Sequence, residues 1–264
     1  MEIHISVLSK LGGRERNEDA CGYWSDGGPI CCVLSDGAGG HGGGDVASRI
    51  AVETVLRQFS VAPGCSPGMV FSLIDQANRD VISQQGNSND TADMRATLVV
   101  LVFNPTNLEA VWGHIGDSRL YCFRSGFVVN RTKDHSLFQS MVDAGFADPE
   151  RLRGNPERSV LIASLGADDG FQPDVISSPF ALHEGDAFLM CSDGFWEYVT
   201  EAAMEATLQR VGSPEEWLAA MEQLVINSGR PGQDNYSAVA VWVGPMDFST
   251  RIFSRSAGAK AADA

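Results

Sequence analysis

Apolar runs of strand length recur along this chain, and several of them end on an acidic residue. Ile30–Leu34, Leu98–Phe103, Glu109–Ile115, Leu120–Phe123, Ala187–Cys191 and Ser237–Val243 are rich in valine, isoleucine and aromatic side chains, the types that fit a pleated surface. The middle runs follow one another without a helix between them. That order argues against a repeating βαβ parallel sheet and for a layered α+β sandwich of mostly antiparallel sheets. Helical periodicity appears on either side of the strand block. Asp45–Phe59 sets Ala47, Ile50, Ala51 and Val55 on one face, and a second helix is expected from Ser66 to about Gln84. Ser213-Pro214-Glu215-Glu216 combines a capping box with proline at the first helical position. Leu218, Met221 and Val225 follow at core spacing, and Gly229 is the expected stop.

A length of 264 residues suits one fairly large domain or two small ones, and a single domain of that size would bury roughly three quarters of the surface its unfolded chain exposes. We expect residues 1–245 to form that domain and 246–264 to be a flexible tail. The stretch from about Lys133 to Gly170 is polar and broken by Pro149, Gly154 and Pro156. It reads as a flap with short helices. Hydrophobic residues at 44% and charged residues at 20% are ordinary for a globular protein. The net charge of -15 repels phosphate backbones and anionic lipid, so neither nucleic acid nor a membrane is expected as a partner. No run approaches the length of a membrane-spanning helix. Met1–Lys10 lacks the basic and apolar blocks of a signal peptide. Cys21, Cys31, Cys32, Cys65, Cys122 and Cys191 form no CxxC motif. Reduced, buried thiols of a cytoplasmic protein are the expectation.

The chemistry gathers where the apolar runs stop. Ile30–Ser35 leads into Asp36-Gly37, Ala187–Ser192 into Asp193-Gly194, and Ala110–Ile115 into Gly116-Asp117-Ser118, while Asp234-Asn235 opens the last run. Glu18-Asp19 lies earlier. Taken singly, each has a plain reading: an Asp-Gly turn, a local salt bridge from Asp117 to Arg119, or surface charge at Glu18. Together they suggest a shared compensator, because a carboxylate at the end of a buried strand is costly to desolvate. A divalent cation is the natural one. A donor set of carboxylates and the Gly37 carbonyl favours Mg²⁺, Mn²⁺ or Ca²⁺ over zinc, and the spacing of a dedicated calcium loop is missing. Two hard cations can acidify a water between them, chemistry suited to phosphate esters. Ala38–Gly44 is glycine-rich but carries no Gly-Lys-Ser/Thr. His41 within it is either a loop histidine or a donor of a hydrogen bond or proton. Arg14 could grip a phosphate with its guanidinium fork, or simply pair with Glu15.

These segments together resemble the metal-dependent serine/threonine protein phosphatases of the 2C type, in the bacterial form. The matching pieces are Arg14-x-x-Asn17-Glu18-Asp19-Ala20, Ser35-Asp36-Gly37-Ala38-Gly39-Gly40-His41, Gly116-Asp117-Ser118-Arg119-Leu120-Tyr121, Asp134-His135-Ser136-Leu137, Ser192-Asp193-Gly194-Phe195-Trp196-Glu197 and Asp234-Asn235-Tyr236-Ser237, in the family's order over roughly residues 5–243. The resemblance implies a four-layer α/β/β/α sandwich of two mainly antiparallel sheets with a flap at about 133–170. It implies Mn²⁺ or Mg²⁺ as cofactor: two ions bridged by Asp36, one also held by Glu18 and the Gly37 carbonyl, the other by Asp193 and Asp234. Asp117 would help hold a third ion, and Asp19 would hold water. Arg14 would bind the substrate phosphate, with Asp36 and His41 as further catalytic candidates. The implied activity is hydrolysis of phosphoserine and phosphothreonine in phosphorylated protein substrates by a metal-activated water. A cognate serine/threonine kinase would oppose it, and the chain would be a monomer. A catalytically silent phosphoprotein-binding module of the same fold is the alternative. The chain departs from its relatives in Met94-Arg95-Ala96-Thr97, where Arg95 replaces a small residue, in Ala38, which some relatives replace by histidine, and in the flap arginines Arg151, Arg153 and Arg158.

Overall fold

The computed structural model describes residues 1–38, 42–86, 91–148, 151, 153, 155–167 and 171–245. His41 and the tail 246–264 lie outside the described residues. Two sheets make the centre of the molecule. The first runs β1 (Ile3–Lys10), β12 (Tyr236–Val243), β11 (Ala187–Cys191), β7 (Arg119–Arg124), β8 (Phe127–Arg131) in spatial order. The second runs β10 (Phe180–Ala181), β6 (Glu109–Ile115), β5 (Leu98–Asn104), β3 (Ile30–Ala38), β2 (Asp19–Trp24). Two short strands, β4 (Arg95–Ala96) and β9 (Asp174–Val175), pair with β3 and β6. Every ladder is antiparallel.

The apolar runs are strands with both faces buried. In β12, Val239, Val241 and Val243 point into the layer between the sheets, while Ala238, Ala240 and Trp242 meet a helical layer. Phe188 and Met190 of β11 do the first, Ala187, Leu189 and Cys191 the second. The first sheet is covered by α4 (Asp193–Trp196), α5 (Glu201–Leu208) and α6 (Pro214–Ser228), with Met204, Trp217, Leu218, Met221 and Val225 in the seam. The second is covered by α1 (Gly44–Val61) and α2 (Pro67–Gln84), which bring Ala51, Val55, Phe59, Leu73, Ile74 and Ala77 onto Val33, Val100 and Val111. The result is the four-layer α/β/β/α order.

Helix ends fall where the sequence put them. Ser66 Oγ accepts from Met69 N, and Ser213 Oγ accepts from Glu216 N at 3.2 Å. The Glu216 carboxylate reaches one residue further back than a capping box would, accepting from Gly212 N at 2.9 Å. Among its described residues the 133–170 segment carries a short helix, α3 (Leu137–Asp143), and a 3₁₀ turn at Pro156–Ser159. Bridges Ser136↔Leu161 and Ala96↔Leu165 tie it to itself and to β4. Besides the two-residue β4, β9 and β10, three strands escaped the sequence reading: β1, β2 and β8. All lie at sheet edges, paired on one side only, and carry half-buried or exposed positions. An edge needs no continuous apolar run.

Candidate metal centre

Antiparallel pairing gathers the acids at one end of both sheets. Asp36 and Gly37 close β3, and Asp19 opens β2 directly opposite Asp36. Asp193 follows β11, Asp234 precedes β12, and Asp117 sits in the turn from β6 to β7. Those strands are neighbours or face one another across the core. Their electrostatics record the convergence. Burial, then repulsion from Asp19, Asp193, Asp117 and Asp234, holds the Asp36 carboxyl well above the usual carboxylate range. Burial and Asp193 push Asp117 up, against the pull of Arg119. Asp193 is raised by burial and Asp234, against Arg158. Glu18 is raised by burial, Asp45 and Asp234, against Arg14 and Arg16. Carboxylates that repel one another in this way are what a hard divalent cation neutralises.

Local geometry fits oxygen-ligated cations. A Cβ built on Gly44 would lie 3.0 Å from Glu18 Oε2 and 2.9 Å from the Gly37 carbonyl oxygen. The two oxygens therefore face one small space that only glycine at position 44 leaves open. Asp19 is 8% exposed, and its Oδ1 has no hydrogen-bond partner while Oδ2 accepts from Ser192 Oγ at 2.9 Å. Burial lifts its carboxyl to about 7. A buried carboxylate oxygen without a donor is costly and suits a water held against cations.

The frame around these acids is buried and polar. Thr97 N donates to the Asp36 carbonyl at 2.8 Å, Asp36 N donates to Thr97 Oγ1 at 3.0 Å, and Thr97 Oγ1 lies 2.7 Å from Ser118 Oγ. One threonine thereby fixes Asp36 relative to Asp117. Gly116 takes φ +97°, and a Cβ there would run into the Thr97 side chain at 2.6 Å, so glycine is required on both counts. Asn235 accepts from Glu18 N at 2.8 Å and donates to the carbonyls of Leu11 and Arg16, which locks the Arg14–Glu18 segment to Asp234. Trp196 Nε1 donates to the Asp117 carbonyl at 2.9 Å, and its ring lies under the Arg119 guanidinium at 3.6 Å. The sequence motifs that contain Thr97 and Asn235 give these two residues no role. Their hydrogen bonds cross the sheets and leave no local signature.

Two arginines reach the acids. Arg14 Nη2 lies 2.8 Å from Asp234 Oδ2, so it pairs with a site carboxylate, not with Glu15. Arg158 of the flap bonds Glu197 at 2.7 Å and Asp193 at 3.3 Å. The acids share one edge, but no three of their carboxylates bring ligand atoms within 4.8 Å of one another. Among the described residues, the only trio of His, Cys, Asp or Glu with ligand atoms within 4.8 Å of one another is His114, His135 and Asp174, a group the sequence reading missed. Its hydrogen bonds suit a structural role. His135 Nδ1 accepts from Gly116 N at 3.2 Å, which leaves the proton on Nε2, facing Asp174 at 3.2 Å. His114 Nε2 meets the Lys133 carbonyl at 2.7 Å, its ring stacks on that of His135 at 4.6 Å, and burial with His135 lowers its pKa to about 4. This pair braces the Asp117 turn from behind.

The sequence pattern of protein phosphatase 2C matches residues 9–226. The chain belongs to that family. Serine/threonine protein phosphatase PstP of Mycobacterium tuberculosis is 31% identical over 82% of this chain, which spans 41% of PstP's length. Serine/threonine phosphatase stp of Listeria innocua is 29% identical over 74% of this chain and 79% of its own. The crystal structure of the PstP catalytic domain with two manganese ions superposes with a TM-score of 0.78, at 26% identity, over 92% of this chain and 99% of that one. Divalent metal dependence goes with that family, and the two antiparallel sheets flanked by helices match its fold.

Proposed function

We propose that this chain hydrolyses phosphoserine and phosphothreonine esters in proteins with the help of divalent cations held by its acidic edge. The observation that carries the reading is the convergence of Glu18, Asp36, Asp117, Asp193 and Asp234 on one end of two sheets with Arg14 among them. Glu18 and the Gly37 carbonyl would hold one ion and Asp193 with Asp234 a second, with Asp36 available to both and Asp117 to a third. When bound, the ions acidify water and neutralise phosphate charge. The protein's own groups do the rest. Arg14, 54% exposed, exchanges Asp234 for two phosphate oxygens. Asp19 orients water through its unpartnered Oδ1. Manganese and magnesium both accept such oxygen ligands, so either ion would suit this donor set. The chain acts as a cytoplasmic monomer opposite a serine/threonine kinase.

The test is turnover of p-nitrophenyl phosphate and of a phosphothreonine peptide with Mn²⁺. Asp36→Asn should lower both by more than the roughly 10–100-fold that outer-sphere changes give. Binding of phosphopeptide and Mn²⁺ without turnover would instead favour the silent binding module.

A further inference from the structure

A cleft of about 430 Å³ lies beside the acidic centre, lined by Ala38 and Arg95 on one wall and by Ser159, Leu161, Ile162 and Ser164 of the flap on the other. That volume is within the range of ligand-binding clefts, about 300–1,000 Å³. Its place in the fold is fixed by pairing. Ala38↔Arg95 and Gly37↔Ala96 are register partners, and Leu165 N donates to the Ala96 carbonyl at 2.8 Å. The flap thus returns along β4, and the cleft opens between β4 and the flap. Ala38 is two residues past Asp36, about 7 Å along the strand. An extended peptide advances about 3.3–3.6 Å per residue. A phosphoresidue at the acidic edge would therefore set a side chain two or three residues away in this cleft.

Charge says which side chain. The chain carries -15 overall, and the neighbouring centre is acidic, so an acidic peptide is repelled unless a local cation receives it. Two flap arginines are turned to the core. Arg153 pairs with Glu201 at 2.8 Å and Arg158 with Glu197 and Asp193. Arg95 differs. Its Nε and Nη2 both bond one oxygen of Asp93, at 2.9 and 2.8 Å, and that carboxylate is 79% exposed. An ion pair so solvated holds its partner weakly, which leaves the guanidinium free to take a carboxylate from a ligand.

We propose that the cleft is a subsite for the residue two or three positions from the phosphorylated one, and that Arg95 makes it select an acidic side chain there. The proposal rests on the phosphatase reading above and adds a sequence preference to it.

The experiment compares kcat/KM for phosphothreonine peptides carrying glutamate, alanine or lysine at each position from three before to three after the phosphoresidue. The protein carries Mn²⁺, and p-nitrophenyl phosphate, with no flanking residues, is the reference. The wild type should favour glutamate over alanine by about 3- to 10-fold at one of these positions, between an exposed ion pair and a buried charge-assisted bond. Arg95→Ala should abolish that preference, Arg95→Lys should keep part of it, and Arg95→Glu should turn it towards lysine. Arg151→Ala, on the exposed flap surface, should leave the ratio as it was. A wild type indifferent to acidic neighbours, or a preference that survives Arg95→Glu, would overturn the subsite while p-nitrophenyl phosphate turnover upholds the activity. Failure on every substrate, the reference included, would remove both.

Discussion

Arg119–Asp134 and Arg14–Asp234 are the same pair of chemical groups at nearly the same separation, 2.7 and 2.8 Å, in opposite surroundings. The first pair is 1% and 2% exposed, is joined by two parallel hydrogen bonds, and stacks its guanidinium on Trp196. The second is 54% and 43% exposed and rests on one contact. Removing one member of a buried pair strands a charge in a poorly solvating interior, whereas an exposed pair exchanges its partner with water or ligand at little cost. Burial, not distance, decides that Arg119 is part of the frame behind the Asp117 turn while Arg14 is available to a phosphate.

The strongest way to break this contrast is Asp134→Ala. It should lower stability by about 3–5 kcal/mol, read as a drop in the urea midpoint, whereas Asp234→Ala should shift the midpoint by less than about 1 kcal/mol. Equal losses would erase the distinction. Next comes Arg14→Ala, which should leave the unfolding curve nearly in place and lower kcat/KM on a phosphopeptide by about 10- to 100-fold, the worth of a hydrogen bond to a charged group. A third test concerns protons. The Asp19 carboxyl is raised to about 7, by burial foremost, against an ordinary value of about 3.9. Its contribution to stability is therefore fully present below about pH 4 and is lost as pH rises through 7. Cations favour the ionised acids, so apparent Mn²⁺ affinity should rise by about tenfold per unit between pH 5 and 7 for each proton released. Calorimetry in buffers of different ionisation enthalpy would count those protons, and an affinity flat across that window would contradict the raised carboxyls. The smallest effect is a reference remote from both pairs: Ser213→Ala removes the α6 cap and should cost about 1 kcal/mol with no change in metal affinity.

Much of the fold was legible because it is written in local patterns. The central strands β3, β5, β6, β11 and β12 are buried on both faces, so their sequences are unbroken apolar runs. Helices α1, α2 and α6 begin and end within a residue or two of the expected places: apolar periodicity marks α1, and serine caps followed by proline mark the starts of α2 and α6. The edge strands β1, β2 and β8 were not legible, since half-exposed positions accept polar residues. Asp36, Asp117, Asp193 and Asp234 could be picked out by their place at the ends of apolar runs, and Glu18, which follows a polar stretch, by its motif. The residues that hold them there could not. Thr97 acts across 61 positions to Asp36, and Asn235 across 217 to Glu18.

The amino-acid order alone therefore determined which segments are the central strands and the longer helices, that acids stand where apolar runs stop, and that oxygen donors would choose a hard cation. Only the tertiary structure decided which arginine meets which acid. It set Arg14 on Asp234 across 220 positions, turned Arg158 inward to Asp193 and Glu197, and left Arg95 facing a cleft. The reason is range. Propensity, capping and periodicity act over a few residues, whereas an ion pair depends on distance and burial in space, which exist only once the sheets have packed.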